Sequence, residues 1–326
     1  MYKPPFSLSN YMMQEAILIA TKANQISSFS KLNRMPVLRR NNKILSIHSS
    51  LAIEANSLSL EETRDIINGK QVLGPKREIQ EVKNAYKAYE MMDDFDGYSQ
   101  DDLLKAHAVL VAGIDEEAGQ YRNHGEGVFD GKRLVFMAPP HNLVPNLMDD
   151  LFHWLKSDNE TPMIIKSCVF HYEFVFIHPF GDGNGRTARL WQNVLLSIWN
   201  KVFEYVPLES QIKKYQQEYY GAIAKCHASG NSNTFIEFML KMIDETLSDV
   251  LSSLAKEERN VSDNVNRLLD VMDYDIPLTA NEIMVRLGIK SKETLRGSYL
   301  NPAIKNGLVK MTLPDKPKSK NQKYYK

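Results

Sequence analysis

The chain has 326 residues, 43% hydrophobic and 25% charged, the mixture of an ordinary globular protein long enough for two domains. Forty basic residues balance forty acidic ones, so overall charge argues against nucleic acid or membrane as a partner of the whole chain. Two cysteines, Cys168 and Cys226, with no CxxC pair, argue against a disulfide framework or a cysteine-built zinc site and suit a reducing cytoplasm. Glu15 sits inside the short apolar stretch near the N-terminus, no A-x-A-like cleavage site follows, and no uncharged apolar run approaches the ~18 residues of a membrane span.

Most of the chain reads as helix. From Tyr11 to about Leu32, Met12, Ala16, Ile19, Ala23 and Ile26 recur at the spacing of one buried helical face. Ser59 and Glu62 form a capping-box pattern that starts a short helix, which Gly69 stops. Segments 76–93, 99–112 and 143–156 follow with similar periodicity. In GVFDGKRLVFM, residues 127–137, Asp130-Gly131 between short apolar runs predicts a tight β-hairpin, closed by Pro139 and Pro140. Thr161 and Pro162 read as the N-cap and first residue of a helix to about Phe176. Pro179 cannot continue that helix, and it disfavours helical geometry at His178. A new helix opens near Gly185 and reaches about Asn200; further helical patterns occupy 211–226 and 233–256.

The last part differs in charge. From Arg286 to Lys326 there are eleven Lys/Arg and two acids, a balance of +9. Thr279 and Glu282 form another capping box, Gly288 ends that helix, and Ser291 caps the next. GLVKMTLPDKPKSKNQKYY then reads as two short strands around a Pro/Lys turn. The fold class expected is mainly α, with a β-hairpin flap and a small winged-helix-like C-terminal domain. The expected organisation is an N-terminal helical region over 1–98, a core over 99–255 and the C-terminal domain over 256–326.

The chemistry concentrates in HPFGDGNGRTAR, residues 178–189. Pro179 holds His178 at a helix-to-loop break, and Phe180 anchors the loop inward. Gly183-Asn184-Gly185 allows positive φ, so successive N–H groups converge on an anion at a helix start. Arg186 and Arg189, three apart, add guanidiniums on the first turn. Asp182 is a hard oxygen ligand suited to Mg²⁺ on phosphate oxygens. The set is a polyphosphate cradle with a metal ligand and a candidate general base, and it is not a Walker loop, since no GxxxxGK[ST] occurs.

His178 to Arg186 matches HPFx[D/E]GNGR, the core motif of Fic-domain proteins, and Arg189 matches the arginine that follows it. The resemblance extends over roughly residues 40–250 in element order. It implies a protein adenylyltransferase that moves AMP from ATP to a Ser, Thr or Tyr hydroxyl of a target protein. By that resemblance His178 is the base, Asp182 holds Mg²⁺, and Gly183, Asn184, Gly185 and Thr187 lie along the phosphates. Arg186 and Arg189 neutralise the outer phosphates. Glycine at 185 favours AMP transfer, because the phosphotransferring branch has lysine there. The hairpin resembles the flap that docks a target strand, with Leu134, Val135, Phe136 and Met137 bordering the nucleotide. Tyr219 and Tyr220 resemble a tyrosine pair near the adenine, and His227 stands where an asparagine is common.

Upstream, Ser50 and Glu54 fit the family's inhibitory [S/T]xxxE[G/N] pattern on a short helix, which implies that Glu54 pairs bidentately with Arg189 and takes the place of the γ-phosphate. Ala55 departs from the pattern, since Ala does not readily adopt positive φ, and Asn56 follows one position late. Self-modification and a homo-oligomer are compatible with the sequence; no membrane is expected. A rival reading starts from Lys292, Arg296, Tyr299 and Lys305 on helix 291–305, with Lys316, Lys318 and Lys320 in the wing: a DNA-binding regulator whose Fic-like site senses nucleotide without catalysis.

Overall fold

The structure, a computed structural model, describes residues 2–28, 36–130, 133–260, 263–273, 276–305, 307–317 and 319–326, with the side chains of 36–37, 128–130, 133–135 and 256–260 left aside. Helices run α1 (Asn10–Ser28), α2 (Pro36–Ile53), α3 (Leu60–Ile67), α4 (Lys76–Glu90) and α5 (Gln100–Leu110). Strands β1 (Gly127–Asp130) and β2 (Arg133–Met137) precede α6 (Val144–Ser157), α7 (Met163–Ile177), α8 (Asn184–Trp199), α9 (Leu208–Lys214), α10 (Gln216–Ser229) and α11 (Asn233–Asn260). The C-terminal part holds α12 (Asp263–Asp270), β3 (Leu278–Thr279), α13 (Ala280–Leu287), α14 (Lys292–Thr294), α15 (Asn301–Lys305), β4 (Lys310–Met311) and β5 (Lys323–Tyr325). Residues 1–25 and 41–248 form one compact unit, and 26–40 with 249–326 form another, as far as each is described.

In the first unit, α7 is apolar on almost every face, so it can be stable only when surrounded. It packs against α8 and α6, while α5 covers α8 and α4 covers α5. Phe170, Phe174, Trp191 and Leu195 are buried at its centre. The chain reverses between α7 and α8 where Pro179 disfavours a further helical turn: His178 leaves the helix, in a left-handed conformation (φ 51°) that the proline does not itself dictate, and Gly183 caps α8 at φ 80°. The β1–β2 hairpin is antiparallel, with a bulge at Val128/Phe129; its Gly131 lies outside the described residues.

Four expectations need correction. The Ser50–Glu54 segment is not a short helix of its own: it closes the 18-residue α2, whose apolar stripe Ile44, Ile47, Leu51 is interrupted by polar neighbours. Thr161 does not cap α7; it bonds the Asp158 carboxylate instead, and Pro162, extended at ψ 141°, stands outside the helix. The segment 211–226 is two helices broken at Tyr215 (ψ 39°). Tyr299 is not presented on the surface but buried, 5% exposed, in the C-terminal core.

That second core contains Val265, Leu268, Ile283, Leu295, Leu300 and Val309, beside a three-stranded antiparallel sheet ordered β3–β5–β4. Helix, turn, helix and hairpin follow in the order the sequence indicates. Helix α12, which sequence periodicity did not single out, supplies Val265, Leu268 and Leu269 to it. The segment 292–305 continues through Gly297 and Pro302 without a break, with a π-helical stretch over Leu295–Leu300 between α14 and α15. Among the described residues no helix is long and apolar enough to cross a membrane.

One carboxyl is out of place in this frame. Glu173 on α7 is 3% exposed; Tyr2 Oη donates to Oε2 at 2.6 Å, while Oε1 has no hydrogen-bond partner. Burial pushes its pKa up to about 7, with the Tyr2 hydrogen bond acting the other way. A carboxyl whose folded pKa is raised favours the folded state at low pH, and that advantage is lost as pH rises through about 7. Urea unfolding should therefore show wild type losing up to ~3 kcal/mol relative to Glu173→Gln between pH 4 and pH 8.

Candidate active site

Three helix ends meet at one cavity of about 670 Å³, lined by Glu54, Phe136, Val175, His178, Asn184, Gly185, Arg189, Tyr219, Tyr220 and His227 among others. Each end is fixed by a specific bond set. At the end of α7, Arg122, 2% exposed, donates to the carbonyls of His178 (2.7 Å), His124 (2.8 Å) and Pro139 (2.6 Å). One guanidinium thus ties the histidine to the chain leaving the hairpin. The loop after it is closed by Asn184, whose side chain accepts from Phe180 N (3.0 Å) and donates to Phe180 O (2.7 Å). Phe180 is fully buried and stacks on His107 at 3.5 Å, and His107 Nε2 donates to the Asp182 carbonyl at 3.0 Å while Nδ1 accepts from Gly119 N.

His178 is half-buried. Burial lowers its pKa, and the nearby Val175 carbonyl pulls the other way without satisfying Nδ1, which has no hydrogen bond. The imidazole is therefore neutral at neutral pH, the form a general base needs. His227 faces the same cavity, stacked on Phe136 at 4.0 Å with Nε2 unpartnered; burial, reinforced by His178, pushes it down to about 4.

At the start of α8 the two arginines take different partners. Arg189 is buried, and its Nε donates to Ser50 Oγ (3.0 Å), while Nη2 donates to Ser50 O (3.0 Å) and Glu54 Oε1 (2.8 Å). Burial opposes its charge, but Glu54 and Tyr219 outweigh that and raise its pKa. The contact with Glu54 is monodentate, not the bidentate pair expected, since a single carboxylate oxygen reaches Nη2. Arg186, 5% exposed, donates Nη2 to Asp182 Oδ1 (2.7 Å) and leaves Nε and Nη1 without hydrogen bonds. Nη1 meets only Glu81 Oε1, an ion-pair contact at 3.4 Å, and Nε meets no acceptor, so these two buried donors beside a helix N-terminus suit an anion of phosphate type.

Glycine at 185 has a local reason. A Cβ there would stand 2.3 Å from Glu54 Oε1 and 3.1 Å from Arg189 Nη1, so only glycine lets the glutamate reach the arginine. Glu54 is placed just past α2, whose Ala52 and Ile53 carbonyls accept from Lys213 Nζ (2.7 Å) and Gln216 Nε2 (2.9 Å).

Of the flap residues, Phe136 lines the cavity, whereas Met137 is 61% exposed and points away, as strand alternation dictates. The Leu134 and Val135 side chains lie outside the described set. Tyr219 is buried, its hydroxyl held by His171, which is itself fixed by Gln192 and pushed down to about 3 by burial. Tyr220 is 45% exposed, with its hydroxyl 3.4 Å from Ile53 O. Thr187 is fully buried behind the helix start. Asp182 lies beside the cavity: Oδ1 accepts from Arg186 and Gly183 N, and Oδ2 accepts from Arg77 at 2.7 Å. Burial raises its pKa, but Arg186 and these hydrogen bonds win, so it is ionised. A lone carboxylate whose Oδ2 meets only the exposed Arg77 fits a Mg²⁺ that takes most of its ligands from phosphates and water.

The Fic/DOC family model matches residues 97–196, and that of the Filamentation induced by cAMP protein Fic-like C-terminal domain matches 263–325. Over 99% of its length the chain resembles a solved Fic family protein from Desulfovibrio desulfuricans G20, at 40% identity and TM-score 0.76, covering 98% of that chain. The chain belongs to the Fic family. It is also 27% identical over 280 residues to protein adenylyltransferase fic-1 of Caenorhabditis elegans, covering 79% of this chain and 53% of that protein. A probable protein adenylyltransferase of Aquifex aeolicus is 32% identical over 151 residues, 45% of each chain. The chain spans about half the length of the curated relatives it matches. Within this Fic-family protein, Ser50 and Glu54 lie outside the matched stretch 97–196 and reach the site only through the fold.

Sequence reading missed Arg122, His107, His171, Arg77 and Glu81, which hold the motif rather than belong to it. Arg77 and Glu81 form an i,i+4 pair, but their contacts to Asp182, Asn56 and Arg186, like those of Arg122 and His107 to the motif and of His171 to Tyr219, cross long stretches of chain that no local pattern marks.

The Gly185 geometry predicts a non-additive pair. Gly185→Ala should lower the thermal midpoint by several degrees in wild type, as the Glu54–Arg189 contact is forced open. In the Glu54→Gly background the same change should cost much less; equal losses in both backgrounds would deny the clash.

Proposed function

We propose that this protein is a protein adenylyltransferase, moving AMP from ATP to a hydroxyl of a target protein, and that Glu54 restrains it. The observation that supports this best is the convergence on one cavity of a neutral half-buried histidine, a glycine-lined helix start, and a buried arginine held by a removable carboxylate. The relatives named as adenylyltransferases support the reaction class.

In this reading the triphosphate lies along Gly183–Gly185 and the α8 N-terminus, whose N–H groups and dipole favour anions. Arg186 offers Nε, which has no hydrogen bond, and Arg189 stays on Ser50 while the outer phosphates take the place of Glu54. Asp182 Oδ2 would hold Mg²⁺, which supplies charge neutralisation on the phosphates when bound. His178 takes the proton of the target hydroxyl. The oxygen attacks the α-phosphorus, the bond to the β-phosphate bridge breaks, and pyrophosphate leaves as AMP–O–protein forms. The imidazolium then returns its proton to solvent. Positioning and charge carry most of the acceleration, with the base worth ~10²–10⁴-fold.

The target strand docks on the exposed edge of the β1–β2 hairpin by backbone hydrogen bonding, beside His178. The acceptor is a Ser, Thr or Tyr, and one on this chain is within the scheme. We read the C-terminal unit as a winged-helix-like docking module. The free, buried Cys168 and Cys226 fit a cytoplasmic protein. The DNA-binding alternative loses Tyr299 from its contact face.

The test is incubation with Mg²⁺ and α-labelled ATP in a protein mixture. Glu54→Gly should raise labelling by at least ~10-fold and His178→Ala should abolish it in that background; labelling indifferent to His178 would reject the reading. Because the His178 pKa is lowered, the imidazole stays unprotonated until pH falls below its ordinary value. The acid limb of kcat/KM in Glu54→Gly should therefore lie below pH ~6.5.

A further inference from the structure

The turn that presents Glu54 should not hold by itself. Ala55 sits at φ 65°, and among the described residues only it and His178 adopt positive φ without being glycine. A side chain with Cβ takes that conformation reluctantly, so the surroundings must enforce it. They do so from the first two turns of α4. Asn56 Nδ2 donates to Glu81 Oε2 at 2.8 Å and to the Glu78 carbonyl at 3.3 Å, and Asn56 Oδ1 accepts from Leu58 N at 3.2 Å. Ser57 N and Oγ both donate to Glu78 Oε2 at 2.7 Å. The Asn56 backbone N–H closes the end of α2 on Leu51 O at 3.1 Å.

Glu81 has a second side. Its side chain is 13% exposed, and Oε1 stands 3.4 Å from both Arg77 Nε and Arg186 Nη1. Arg77 and Arg186 in turn share the Asp182 carboxylate. One carboxylate thus joins the turn behind Glu54 to the arginine beside the cavity.

We propose that Asn56, clasped by Glu81, is the latch that keeps Glu54 on Arg189, so that Asn56 and Glu81 are positioning residues setting how far the site is closed to triphosphate. This rests on the inhibitory reading of Glu54 given above. Asn56 stands where the bonding requires a donor to Glu81 and an acceptor for Leu58 N at once. Opening the latch frees Ala55 to leave its strained conformation, and Glu54 then loses the backbone direction that points it at Nη2.

Asn56→Asp is the cleanest probe. It keeps the acceptor for Leu58 N, removes the donor, and sets a carboxylate against Glu81 and Glu78. Glu81→Gln is less clean because it also disturbs Arg186. Ala55→Gly provides the opposite sign, since glycine accepts positive φ and should seat the glutamate more firmly. The readout is the affinity of the full chain for ATP with Mg²⁺, by calorimetry, in wild type, Asn56→Asp, Ala55→Gly, Glu54→Gly and the Asn56→Asp/Glu54→Gly pair. Asn56→Asp should bind about 10-fold tighter than wild type, Ala55→Gly a few-fold weaker, and the double variant should match Glu54→Gly. A purely structural role for Asn56 would lower affinity in both backgrounds. If Glu54→Gly tightens binding while neither Asn56→Asp nor Ala55→Gly shifts it, the latch is wrong and the inhibitory reading stands. If Glu54→Gly itself leaves affinity unchanged, the inhibitory reading fails and takes the latch with it. Should Asn56→Asp not fold, Ala55→Gly alone decides by its sign.

Discussion

A guanidinium buried in protein must have an anion or well-placed acceptors, because an uncompensated buried charge is among the costliest things a fold can hold. Arg189 is that group here, with side-chain exposure of 1%. Its environment splits its needs in two. Ser50 supplies two neutral acceptors, Oγ and the carbonyl, from a helix that does not have to move. The counter-charge comes separately from Glu54, at the edge of the cavity and 37% exposed. That division lets the carboxylate be exchanged for another anion while the arginine stays hydrogen-bonded and in place. A phosphate offers the same kind of oxygen to the same nitrogen.

The exchange needs a rigid frame around it, and buried polar side chains provide one. Arg122 fixes the last carbonyls of α7 and the strand exit, His107 and Phe180 stack to hold the loop, and His171 pins Tyr219. In the proposed exchange these groups would hold His178, the α8 start and the tyrosines in one geometry. The segment that would have to yield in the proposed exchange is the turn at Ala55, held by the bonds of Asn56 and Ser57.

What the sequence made legible follows a physical divide. The capping boxes at Ser59/Glu62 and Thr279/Glu282 are local, and both form as read. The hairpin and the helix break at Pro179 are set by adjacent residues and also form. The cavity brings together His178, Gly185, Arg189 and, from a distant helix, Glu54, in keeping with the motif spacing. The missed features are non-local or polar. Helix α2 is obscured because RRNNK and HSS dilute its apolar stripe. Tyr299 looks like a surface residue until α12, itself overlooked, closes over the core. Ala55 departs from a glycine-like position, and only the bonds of Asn56, Ser57, Glu78 and Glu81 explain how it is tolerated.

The central claim is that Glu54 and the outer phosphate compete for one nitrogen of Arg189. Calorimetric titration of ATP and ADP, each with Mg²⁺, into wild type and Glu54→Gly tests it most directly, because the two ligands differ only in that phosphate. The account predicts that removing the carboxylate strengthens ATP by ~10-fold or more and changes ADP far less. Equal gains for both nucleotides, or none for either, would contradict it.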